Sequence, residues 1–128
     1  MLGDKTAVAT IAVKDMDAAK KFYEGTLGLT VDKVDPGGGG NLYKSGDSNV
    51  LVYPSQFAGT NKATAASWGV GDDLEKIVAD LKSKGVTFEQ YDNIPGAKRE
   101  GEIHTFGDMK AAWFKDPDGN ILNLVNQM

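Results

Sequence analysis

The sequence contains no cysteine and a single histidine, His104. Without cysteine there can be no disulfide, no thiolate metal site and no cysteine nucleophile. With one histidine, the usual catalytic triads and the two-histidine zinc sites lose their commonest component. Any metal would have to be held mainly by carboxylates or amides. Long apolar runs are also missing, and the N-terminus lacks a basic-then-apolar leader pattern, so the expectation is a cytoplasmic chain with no membrane partner. Positive charge is scarce: 14 Lys and Arg stand against 18 Asp and Glu, a net charge of −4 with the signs interspersed. Nucleic-acid affinity rests largely on a basic patch that neutralises phosphates, so nucleic acid is not an expected partner.

What is there reads as one ordinary globular domain over residues 1–128, long enough to bury a core. Residues 6–13 (TAVATIAV) are rich in Val, Ile and Thr and predict a strand. Asp15 and Asp17 are helix N-cap candidates. An apolar stripe through Ala18 and Phe22 follows, and Gly28 is placed to end the helix before a strand at LTVDKV. A shift of 57 residues then superimposes the chain on itself: Val13 on Val70, Asp15 on Asp72, Gly28 on Gly85, Thr30 on Thr87. Cap falls on cap and stop on stop without a gap, which is the signature of a duplicated strand–helix–strand unit.

Each unit is followed by two further strand-like segments. In the first half, NLYKSG and NVLVYPS meet at Gly46-Asp47-Ser48, a hairpin signal; in the second, KAAWFK and NILNLV meet at Pro117-Asp118-Gly119. Each half is therefore expected to be β-α-β-β-β, in the α+β class. PGGGGN (36–41) reads as a plain surface loop, because no helix start follows its glycines. Residues 92–108 form a long segment of weak periodicity, the kind that often supplies a lid.

The turn at Asp116-Pro117-Asp118-Gly119-Asn120 invites a metal reading. A calcium loop needs oxygen donors at its first, third and fifth positions, a glycine sixth and a glutamate twelfth. Asp116, Asp118 and Asn120 satisfy the first three, but the glycine is one place early at 119 and the twelfth residue is Gln127. The stretch reads as a hairpin turn whose aspartates cap the backbone.

The segments IAVKDMDAAKKFYEGTLGLTV, WGVGDDLEKIVADLKSKGVTF and AAWFKDPDGNILNLV resemble, in order, those of the vicinal oxygen chelate superfamily. This is the superfamily of glyoxalase I, extradiol dioxygenases and the fosfomycin- and bleomycin-resistance proteins. The resemblance implies two βαβββ modules, at about 5–58 and about 64–127. It further implies a mixed sheet curled around a cavity, often completed by a second subunit. Metal-using members take ligands from positions matched here by Val8, Ala65 and Asn123, with a fourth near Leu51–Tyr53. Valine and alanine offer no lone pairs and asparagine only a neutral oxygen, so neither a metal nor another cofactor is expected.

Strand alternation puts Thr10, Ala12, Ser67 and Gly69 on the cavity side with Val8 and Ala65, and Ile11, Val13, Trp68 and Val70 under the helices. On the last hairpin Ile121, Asn123 and Val125 face inward. The resemblance places Trp113 with them and Phe114 in the core. The candidate ligand-binding residues are thus Thr10, Tyr53, Ser67, Trp113 and Asn123, with Ser55, Thr60 and Asn61 as a possible rim. His104, between Glu102 and Asp108, is the candidate proton-transfer group.

Three functions compete. The first is a metal-free homodimer that binds a small hydrophobic or aromatic molecule. The second is a glyoxalase- or dioxygenase-type enzyme using non-standard metal ligands. The third is a metal-free isomerase or lyase with His104 as base.

Overall fold

A computed structural model describes residues 1–127. Two separate mixed sheets, of four and five strands, carry the molecule. The first contains β1 (Ala9–Val13), β2 (Thr30–Val34), β3 (Asn41–Ser45) and β4 (Ser48–Pro54) in the order β1-β4-β3-β2. The second contains β5 (Thr64–Gly69), β6 (Lys98–Glu100), β7 (Ile103–Phe106), β8 (Met109–Lys115) and β9 (Ile121–Val125) in the order β5-β9-β8-β7-β6. In both, the opening strand runs parallel to the closing one, β1 to β4 and β5 to β9. The two sheets do not join into a single curled sheet.

Helix α1 (Met16–Lys20) begins where Asp15 accepts the backbone N–H groups of Asp17 and Ala18, two donors that would otherwise be orphaned. It then widens into a π-helical stretch, Lys21–Thr26, whose ladder ends with Leu27 N–H on the Phe22 carbonyl. Helix α2 (Leu74–Ser83) starts differently. Asp72, the repeat partner of Asp15, lies in a short 3₁₀ turn and no side chain caps the helix. The stops do match: Gly28 and Gly85 are both left-handed, at φ +75 and +90.

One core serves both modules. Ile11, Val13, Tyr23, Tyr43 and Val52 of the first half pack with Leu74, Val78, Leu81, Phe114 and Leu122 of the second. This core lies between the helices and one face of each sheet. Trp68 lies against it, half-buried, as the alternation requires. The other face of each sheet is left for the candidate site.

Residues 92–108 differ from the expected irregular segment. They contain the hairpin β6–β7, which adds its second strand to the free edge of β8. Periodicity missed it because both strands are short, and Arg99 and His104 occupy positions where an apolar residue would have marked the buried face.

The turn at 116–120 locks the modules together. The Asp116 carboxylate is buried and accepts the backbone N–H groups of Asp118 and Asn120, the Asn120 amide and the Tyr23 hydroxyl at 2.7 Å. Asn120 also donates to the Ala12 carbonyl at 2.7 Å, and the Lys14 N–H donates to Asp118 at 3.1 Å. Burial first, and the Asp116 charge second, push the Tyr23 phenol far above its ordinary range. The acidic cluster is spent on the turn and on the junction between the modules. Gly40, at the end of the glycine-rich loop, lies against the backbone of Val52 and Tyr53, where a side chain would collide.

Candidate functional site

The face of the second sheet away from the core collects six side chains: Ser67, Thr64, Tyr91, His104, Trp113 and Asn123. Asn123 stands opposite Trp113 on β8 and opposite Ser67 on β5. The Ser67 hydroxyl donates to Asn123 Oδ1 at 2.9 Å, and the Asn123 amide donates to the Ala112 carbonyl at 3.2 Å. The indole N–H of Trp113 reaches the Thr64 hydroxyl at 3.1 Å. His104 pairs with Ala111, two places along β8 from Trp113, so it lies on the same face. Its ring meets the indole edge-on at 5.0 Å, and Tyr91 completes the group at 5.5 Å from Trp113 and 5.7 Å from His104.

The fold brings Ser67, Trp113 and Asn123 together. Thr10 and Tyr53 lie on the first sheet instead. Thr10 is exposed, its hydroxyl donating to the Val8 carbonyl, and Tyr53 is half-buried opposite Ala12. A single chain therefore does not assemble all five candidates around one cavity. The crossover groups satisfy one another locally: Ser55 Oγ accepts from Phe57 N–H, the Thr60 hydroxyl donates to the Phe57 carbonyl, and Asn61 accepts from Ala63 N–H.

The alternation fails at one place. Pairing of β5 with β9 slips between Thr64 and Ala66, and a bulge of this kind turns side chains that a strict period of two would alternate. Ala65 packs against the core, while Thr64 takes the position beside Trp113. Thr64 was missed for that reason. Tyr91 was missed because it lies just past the second module's counterpart of β2, held to β8 by the Phe88–Phe114 bridge and by Glu89 N–H on the Trp113 carbonyl.

His104 is not the solvated loop residue its charged neighbours suggest; it is fully buried. Nε2 accepts the Tyr91 backbone N–H at 2.9 Å. Nδ1 is buried without a partner. The flanking carboxylates do not orient it, since Glu102 is held by Lys82 at 2.8 Å, which keeps that carboxyl below its usual range. Glu100 ends β6, and Glu102 lies in the turn after it.

The metal positions implied by the resemblance fit no metal. Val8 is exposed ahead of β1, Ala65 is turned toward the core, and both ends of the Asn123 amide are engaged. Among the described residues no three His, Asp or Glu side chains converge on a common point. A hard cation needs several oxygen donors, and Val8, Ala65 and Asn123 do not supply them.

Two clefts lie at the module junction. One of about 420 Å³ runs between the β3–β4 turn and β5, lined by Asn49, Ser67 and Trp68. A second of about 310 Å³ lies on the helix side, lined by Leu27, Ile77 and Leu81. Trp68 and Ser45 border both, joined by an indole-to-hydroxyl hydrogen bond of 2.8 Å.

No helix is long and apolar enough among the described residues to cross a membrane. No curated protein matches the sequence. Solved structures with the same fold include a glyoxalase family protein from Enterococcus faecalis, 22% identical with a TM-score of 0.70 over 98% of this chain and 99% of that one. A glyoxalase/bleomycin resistance protein from Streptomyces sp. CB03234 is 24% identical with a TM-score of 0.64, covering 94% and 98%. The fosfomycin resistance protein FosX from Mesorhizobium loti is 12% identical with a TM-score of 0.69, covering 100% and 95%. The family model for the Glyoxalase/Bleomycin resistance protein/Dioxygenase superfamily matches residues 5–124. With its paired sheets, shared core and repeated strand–helix units, the chain belongs to that superfamily.

Proposed function

We propose that this protein binds a small hydrophobic or aromatic molecule, without a metal, on the open face of its second sheet. The observation that carries the reading is the Trp113–Asn123–Ser67 group: a half-buried indole beside a buried amide and an exposed hydroxyl. An indole offers a flat apolar surface for stacking. Ser67, having given its proton to Asn123, keeps lone pairs for a ligand donor. A few placed polar groups among apolar walls are what a small-molecule site needs.

Thr10 and Tyr53 enter this reading through a second copy of the chain. A two-fold dimer would lay the first sheet of one protomer over the second sheet of its partner and close the pocket, which neither copy closes alone. Catalysis by His104 is the less favoured reading, because the imidazole would first have to surrender its bond to Tyr91.

Two tryptophans give two resolvable indole N–H resonances. Titration with naphthol as a flat apolar probe is expected to move the Trp113 resonance saturably and leave that of Trp68 in place. Asn123→Ala is expected to weaken this binding about tenfold, because it unties the Ser67 hydroxyl that meets the ligand. Movement of Trp68 alone would overturn the assignment. So would stoichiometric tightly bound metal that is lost in Asn123→Ala.

A further inference from the structure

The buried histidine has a second consequence. His104 is 0% exposed, its Nε2 accepts the Tyr91 N–H, and its Nδ1 has no partner. Accepting through Nε2 requires the neutral ring with its proton on Nδ1. That one bond ties β7 to the segment preceding the β6–β7 hairpin, and the same ring supports the edge of Trp113.

We infer that His104 is a positioning residue whose protonation releases Tyr91 and Trp113, so that the open face of the second sheet is ordered when the imidazole is neutral and loosened when it is charged. The inference rests on the binding reading only for its consequence; the motion itself needs no ligand. The imidazolium is a donor at both nitrogens. Its Nε2–H would then face the Tyr91 N–H, two donors in one contact, while Nδ1–H still lacked an acceptor. Burying a charged group without satisfied hydrogen bonds is costly, and the least expensive relief is to open the contact that has become repulsive.

The surroundings supply little compensation. Arg99 stands directly across from His104 on β6, and its charge is already matched to Asp92 at 2.7 Å. Asp92, the nearest carboxylate from the preceding segment, is committed first to that exposed pair, which holds it below its usual range, and its attraction to a charged His104 is the smallest influence on it. Tyr91 contributes a phenol pushed upward by burial. On β8 the partner of His104 is Ala111, and the adjacent Lys110 is engaged by Glu75. No uncommitted anion faces the ring among the described residues.

The ligand-free protein is followed by amide and indole N–H resonances as the pH is lowered from about 8 to the acid limit of the folded state. In the wild type the Tyr91 amide and Trp113 indole signals are expected to shift together with one midpoint, while Trp68 holds still. His104→Gln provides an acceptor that does not titrate, and should hold both signals constant throughout. His104→Phe fills the space without an acceptor, and its Tyr91 amide should lose hydrogen-exchange protection at every pH. A wild type in which neither signal moves, or a shift that persists in His104→Gln, would overturn the inference. Because no probe is present, either result leaves the naphthol experiment to be judged by itself.

Discussion

Asp116→Ala is expected to destabilise the fold by about 3–5 kcal/mol, read as a fall in the urea midpoint at unchanged slope. The magnitude follows from what the substitution strands. Four donors converge on this one buried carboxylate: two backbone N–H groups, the Asn120 amide and the Tyr23 hydroxyl. The Tyr23 hydroxyl is fully buried and has no water to turn to. Each stranded buried donor costs about 1–3 kcal/mol. Tyr23→Phe removes one donor together with its need for a partner and should cost clearly less. Since the two residues touch, the double variant should fall short of the sum of the singles by about 1 kcal/mol or more.

The same contact sets a pH dependence. A phenol whose value is raised on folding contributes stability that is fully present below its unfolded value, about 10, and is lost as pH rises beyond that. Tyr43 and Tyr91 are raised as well, chiefly by burial. The wild type should therefore lose stability above about pH 10, and Tyr23→Phe should lose less over the same range.

Much of this architecture was legible in the sequence, because the cues that define it are local. The repeat aligned strand starts and helix stops, and Gly28 and Gly85 take matching conformations. Alternation separated Ile11, Val13 and Trp68 from Thr10 and Ser67. What was not legible depends on long-range partners. Asp15 caps its helix while its counterpart Asp72 does not, although the residue type is the same. The bulge at Ala65 has no local marker, and it exchanges Thr64 for Ala65 beside Trp113.

The candidate positions could be named from the sequence, but not their assembly. Asn123, Ser67 and Trp113 come together because β5, β9 and β8 are neighbours in the sheet. Thr10 and Tyr53 belong to the other sheet, and no sequence pattern states whether one chain or two must bring the faces together. His104 shows the limit most clearly. Charged flanking residues suggest a solvated loop, whereas cross-strand pairing with Ala111 and a bond from Tyr91, thirteen residues earlier, bury it completely.

Gly59→Ala is the second substitution expected to have a large effect, about 3 kcal/mol or more. Gly59 has φ +73, a left-handed conformation that alone costs an alanine about 1–2 kcal/mol. A methyl group at this position would also overlap the Asp118 carbonyl oxygen, which is backbone and cannot rotate aside. Either the crossover segment or the 116–120 turn must retreat, and the turn is held by the Asp116 carboxylate and by Asn120 on the Ala12 carbonyl. Gly46→Ala separates the two contributions. Gly46 is also left-handed, at φ +56, but opens onto free space, so its alanine variant should pay only the conformational cost of about 1–2 kcal/mol. If Gly59→Ala and Gly46→Ala shift the urea midpoint equally, the close approach of the crossover to the turn does not hold the modules in register. If Gly59→Ala is the costlier by about 1 kcal/mol or more, the small residue at 59 is required by the same turn that Asp116 organises.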